Sequence, residues 1–201
     1  LIERNKIHGV DSETKVEEAI KNTLVFDESD EVDVNKIPKM PTLYPGKTTE
    51  EKYQMLEDLA YEKFMDIVVE DGIKESDVPK YLEKLNDCLK VVHDTEEMNT
   101  EDYFLIDQKI VEKAVNEYGG VLTRTGRGSA GAFYLNRVLG LTQLDSYTTD
   151  IPMYPDRFMS TARILENKSF PDIDLNVVAQ EPFVRASKDL LGEFGCVPML
   201  A

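Results

Sequence analysis

The sequence predicts an α+β chain, and three observations carry that reading. Apolar residues recur at helical spacing in successive blocks up to residue 120. Strand-like segments appear only after it, at residues 121–123 and 171–177. Hydrophobic residues make up 41% of the 201, enough for a core, which excludes a wholly disordered chain.

Each element has its own signal. Residues 11–26 read as a helix with Val16, Ala19, Ile20 and Thr23 near one face and Asp11 or Ser12 as cap. Residues 27–47 turn acidic and then proline-rich (Pro38, Pro41, Pro45), the pattern of an extended connector. Thr48, Thr49, Glu50 and Glu51 start a second helix, which Gly72 ends; Tyr53, Leu56, Leu59, Ala60, Phe64 and Ile67 mark its inner face. A third helix is capped by Ser76 or Asp77, with Pro79 in its first turn and Tyr81, Leu85, Leu89 and Val92 inward. Glu101 and Asp102 open a fourth amphipathic stretch that Gly119 and Gly120 close. The acidic residues on the first three of these helices read mostly as a solvated face. A glycine-rich loop at 125–131 leads into a helix over 132–139, and residues 141–170 read as irregular. Residues 171–177 alternate as a half-buried strand does, and a last helix is expected over 181–191.

Composition excludes several classes. No apolar run approaches the roughly 20 residues of a membrane-spanning helix. The start is charged (Glu3, Arg4, Lys6) and lacks the apolar segment of a signal peptide, and the first residue is Leu1. The expectation is a cytoplasmic protein and a piece of a longer chain. Cys88 and Cys196 cannot by themselves build a disulfide framework or a zinc site. His8 and His93 have no metal-ligand spacing and read as ordinary surface or boundary residues.

The net charge of −16 argues against a protein that coats DNA. Its distribution is uneven. Residues 1–120 hold 15 basic and 30 acidic side chains, whereas 121–201 hold 8 and 9, with six of the seven arginines. A guanidinium fork suits phosphate oxygens, so the chemistry is expected after residue 120.

Two features there have chemical potential. Gly126, Arg127, Gly128 and Ser129 lie between a strand and a helix signal. Such a loop is either a tight turn with a serine cap or an anion cradle of backbone N–H groups and a helix N-terminus. It matches neither a Walker loop nor the dinucleotide fingerprint. Asp172 and Asp174 flank Ile173. On a strand their side chains share one face about 6–7 Å apart at Cα. They are either solvated edge residues or a pair that a hard divalent ion draws together beside substrate phosphates.

With these blocks in order, the sequence resembles the bacterial C-family replicative DNA polymerases, the alpha subunit of DNA polymerase III. The residues that carry the resemblance are Asp102-Tyr103-Phe104-Leu105-Ile106, Gly126-Arg127-Gly128-Ser129-Ala130, Asp156-Arg157-Phe158 and Phe170-Pro171-Asp172-Ile173-Asp174. Gly192 to Gly195 is similar to the family's turn toward the thumb. The resemblance implies a palm domain of the DNA polymerase beta nucleotidyltransferase type, a mixed β-sheet packed by helices, with a helical N-terminal extension. It divides the chain into an N-terminal helix and connector (1–47), a partial palm (48–180) and the start of a thumb (181–201).

The resemblance also implies roles. Asp172 and Asp174 are the catalytic pair and hold two Mg²⁺ ions. Gly128, Ser129 and Arg157 bind the incoming triphosphate, and Arg127 belongs to the same loop. Partners would be primer-template DNA and deoxynucleoside triphosphates, with the sliding clamp and other replisome subunits contacted by regions absent here. Arg163 and Lys168 lie between the triphosphate arginine and the acidic pair, as DNA contacts or bystanders. The family's third catalytic carboxylate is expected past Ala201, so the piece alone is expected to be inactive or nearly so. Asn176 stands where a further Asp is common, and Thr123-Arg124-Thr125 replaces a more apolar lead-in. These departures imply a divergent member, in keeping with a phage or mobile-element origin. The rival readings are a non-catalytic palm-like scaffold or interaction module, and a smaller nucleotidyltransferase with a non-DNA acceptor.

Overall fold

The computed structural model describes residues 13–23, 39–147 and 153–197. They belong to two units, Leu1–Lys36 and Ile37–Ala201. In the first unit, α1 (Glu13–Thr23) ends with the Thr23 hydroxyl donating to the Ile20 carbonyl at 2.6 Å. The expected caps Asp11 and Ser12, and the connector up to residue 38, lie outside the described residues.

In the second unit, α2 (Thr49–Glu70) starts on a capping box: Thr48 Oγ1 accepts from the Glu51 amide while Glu51 accepts from the Thr48 amide. Leu56, Ala60, Phe64 and Ile67 form one buried stripe at intervals of three and four residues. Helix α3 (Val78–His93) has Pro79 in its first turn and buries Tyr81, Leu85, Cys88, Leu89 and Val92. Asp77 holds its N-cap position, although its side chain makes no capping bond. A 3₁₀ turn (Glu96–Met98) and a left-handed Asn99 lead into α4 (Thr100–Tyr118), the most buried of the long helices.

Charge is used inside as well as outside this bundle. Asp102 of α4 is only 1% exposed and accepts from Lys52 Nζ of α2 and from Thr42 Oγ1, both at 2.6 Å. The pair joins two helices and the end of the connector, and its neighbour Glu101 is buried as well. Arg137 likewise bonds both carboxylate oxygens of Asp71, at 3.1 and 2.6 Å, and pins α5 (Tyr134–Val138) to the end of α2. Phe104, Phe133 and Phe158 line up through the core at centroid distances of 5.9 and 5.3 Å.

The last helices are α6 (Thr161–Asn167), capped by Ser160, and α7 (Glu181–Leu191), which packs along α4. Their junction is tight: a Cβ on Gly120 would sit 3.0 Å from both the Ala114 carbonyl and the Phe183 ring. No helix among the described residues is long and apolar enough to cross a membrane.

The mixed β-sheet expected from the resemblance is corrected by the structure. Among the described residues the β-pairing amounts to one antiparallel bridge, Leu122 to Val177. Two backbone bonds accompany it, Thr123 N–H to Asn176 at 2.8 Å and Val178 N–H to Val121 at 3.0 Å. A ladder needs two extended segments side by side over several residues. Residues 121–123 run only briefly alongside before the chain leaves through the glycine-rich loop. Ile173, Leu175 and Val177 then pack on the helical core instead of on a sheet face. The architecture is a helical assembly with one bridged pair of extended segments, and not a palm of the mixed-sheet kind.

Candidate functional site

A cavity of about 540 Å³ lies where the glycine-rich loop, the Pro155–Arg157 turn and the extended acidic segment meet. That volume lies within the roughly 300–1,000 Å³ of small-molecule sites. Gly128, Ser129, Arg157, Asp172 and Asp174 line it, so five of the six residues singled out from the sequence are neighbours in space. Arg127, the sixth, is exposed and is not among the lining residues. Met153, Arg163, Phe170 and Pro171 complete the wall.

The loop is held from behind. Ala130 is buried, and its carbonyl accepts from Asn136 Nδ2 at 2.8 Å. Gly128 adopts φ +70°, a conformation open to glycine at little cost. Ser129 occupies the N-cap position of a 3₁₀ turn (Ala130–Ala132), yet its side chain makes no capping bond. Its hydroxyl therefore remains available to the cavity, which removes the main support for the serine-cap reading. The continuous helix expected over 132–139 is not formed; the short 3₁₀ turn and five-residue α5 take its place. Little macrodipole can build over such lengths, so the helix N-terminus expected to serve an anion cradle contributes little here.

Arg157 is placed by its two C-terminal neighbours. Phe158 and Met159 are fully buried, and Phe158 meets Phe133 in the core. Arg163, in the first turn of α6, donates from Nη1 to the Arg157 carbonyl and fixes the same turn. Two arginines thus line the cavity.

The acidic segment keeps its alternation without a sheet. Asp172 and Asp174 are exposed while Ile173 and Leu175 turn toward the core. Tyr103 of α4 fixes the approach: its hydroxyl donates to the Pro171 carbonyl at 2.6 Å and its ring stacks on Phe170 at 5.3 Å. Burial raises the Tyr103 phenol well above its ordinary range, and the carboxylates of Asp107 and Asp172 add to the shift. The phenol therefore stays protonated and keeps donating. Sequence reading identified the Tyr103 block only as part of a resemblance; its clamp on Phe170 and Pro171 is a long-range contact with no local signal.

Chemically, the cavity is lined by two solvent-facing carboxylates, two arginines and a loop serine. An all-oxygen pair of this kind suits a hard divalent cation, and arginine forks suit phosphate. The described residues bring no further His, Cys, Asp or Glu into a three-donor group with Asp172 and Asp174; the one such group lies elsewhere, at Glu50, His93 and Glu96.

The family model described as the bacterial DNA polymerase III alpha NTPase domain matches residues 54–190. That span includes the loop, the Arg157 turn and the acidic segment. No curated protein matches the chain.

Proposed function

The chain belongs to the bacterial DNA polymerase III alpha NTPase-domain family, and from that premise we propose that its cavity is the nucleotide end of a DNA-directed DNA polymerase active site. The observation that carries the reading is the convergence of Gly128, Ser129, Arg157, Asp172 and Asp174, drawn from three separate chain segments, on one cavity.

In this reading the Gly128–Ser129 backbone and the Ser129 hydroxyl cradle phosphate oxygens of a deoxynucleoside triphosphate. Arg157 neutralises the phosphate tail and orients it in line for displacement. Asp172 and Asp174 would hold Mg²⁺, which when bound would supply charge neutralisation and activation for nucleotidyl transfer. The primer 3′-hydroxyl would attack the alpha-phosphate, with pyrophosphate as leaving group. Arginine then stabilises charge that grows on the departing oxygens. Tyr103 acts as a positioning residue through Pro171. With two carboxylates at the cavity, the 201 residues alone are proposed to bind nucleotide without turning it over.

The test is primer extension by the complete polymerase carrying Asp172→Asn or Asp174→Asn. The expected loss is at least about 100-fold, the scale seen when one electrostatic stabiliser is removed from an active site. Near-normal extension by either variant would defeat the assignment and favour a non-catalytic interaction module.

A further inference from the structure

A second group of donors lies outside the cavity. Glu50, His93 and Glu96 each present one ligand atom, and the three atoms all lie within 4.8 Å of one another. They come from three elements: the first turn of α2, the last residue of α3 and the 3₁₀ turn after it. All three are exposed. Among the described residues none of them makes a hydrogen bond or ion pair that would explain the meeting.

The scaffold beneath them is fixed. Thr95 is fully buried, and its hydroxyl donates to the Val91 and Val92 carbonyls at 2.8 and 3.1 Å. Its own carbonyl accepts from the Thr100 hydroxyl at 2.9 Å. Met98 is buried on the other side of Glu96. The His93 ring is held edge-on to Tyr53, at a centroid distance of 4.9 Å and an interplanar angle of 77°. The buried Lys52–Asp102 pair locks the start of α2, and with it Glu50, to the start of α4.

Two carboxylates that close repel unless a cation joins them, in a chain already at −16. An imidazole beside two carboxylates selects a borderline cation over Mg²⁺ or Ca²⁺, which prefer oxygen alone. Zinc ligands about 2.1 Å from the metal lie roughly 3.4 Å apart in a tetrahedron, which the exposed side chains reach by small rotations. We propose that Glu50, His93 and Glu96 form a Zn²⁺ site with water in the remaining position, clamping the start of α2 to the α3–α4 corner.

The test is calorimetric titration of the 201-residue protein with ZnCl₂ alone, with Co²⁺ absorption as a check on coordination. One Zn²⁺ per chain is expected, bound equally by the Asp172→Asn/Asp174→Asn double variant. His93→Ala and Glu96→Gln, both at exposed positions, should each weaken it at least about tenfold. Absence of zinc uptake at sub-millimolar metal overturns the proposal. So does undiminished uptake in both single variants, or loss of uptake in the double variant. Failure of nucleotide binding at the cavity would leave this result untouched, because the two sets of residues do not overlap.

Discussion

Gly128 and Asp174 approach so closely that a methyl group on the glycine would sit 2.4 Å from Asp174 Oδ2. Two chain segments 46 residues apart are thereby fitted to each other at the cavity, and the fit depends on a missing side chain. Gly128→Ala should therefore both strain the loop and displace the carboxylate. The left-handed backbone alone costs about 1–2 kcal/mol. Gly140→Ala is the control: its φ is +76° but its Cβ would meet nothing within 4 Å. Both variants should lose similar stability in urea, and only Gly128→Ala should lose at least tenfold in nucleotide affinity.

The Lys52–Asp102 pair should be the costliest charge to break. Removing one partner strands the other in the interior, at about 3–5 kcal/mol. Lys52→Met should lower the urea midpoint accordingly, while Lys52→Met with Asp102→Leu should recover most of the loss. Equal damage in the single and double variants would show that packing, and not the stranded charge, sets the cost.

Stability should fall as pH rises toward neutrality. Burial, with the neighbouring Asp102 carboxylate adding to it, pushes the Glu101 carboxyl up from 4.5 to about 7. Burial also raises Asp107 from 3.8 to about 7. Above each ordinary value the unfolded chain releases a proton that the folded chain retains, so ionisation favours unfolding. The penalty grows from about pH 4–4.5 and is complete above about pH 7. Urea midpoints compared near pH 5 and near pH 8 should decrease, and Glu101→Gln should flatten that dependence. An unchanged slope in Glu101→Gln would remove Glu101 from the explanation. Glu51 and Glu112, both lowered from 4.5, act in the opposite sense but below this window.

Local periodicity made the helices legible. The Leu56, Ala60, Phe64 and Ile67 stripe and the Tyr81 to Val92 face are set by spacing alone. The outward placement of Asp172 and Asp174 was equally local, because an extended backbone alternates whether or not it finds a partner. Sheet formation is not local: it needs neighbours at a distance, and residues 121–123 and 171–177 make only one bridge. The buried Lys52–Asp102 pair was not legible, because nothing near Asp102 in sequence points to Lys52. Arg163 joined the cavity through a bond to the Arg157 carbonyl, a contact across one turn of chain that composition does not reveal. His93 lacks ligand spacing in sequence because its two companions lie on other elements.

The most direct measurement is a calorimetric titration of the protein with a deoxynucleoside triphosphate in the presence and absence of Mg²⁺. Saturable binding that needs Mg²⁺ and disappears in the Asp172→Asn/Asp174→Asn variant is expected. Heat-silent mixing in the wild-type protein, or binding indifferent to both the metal and the two substitutions, would contradict a nucleotide site at this cavity.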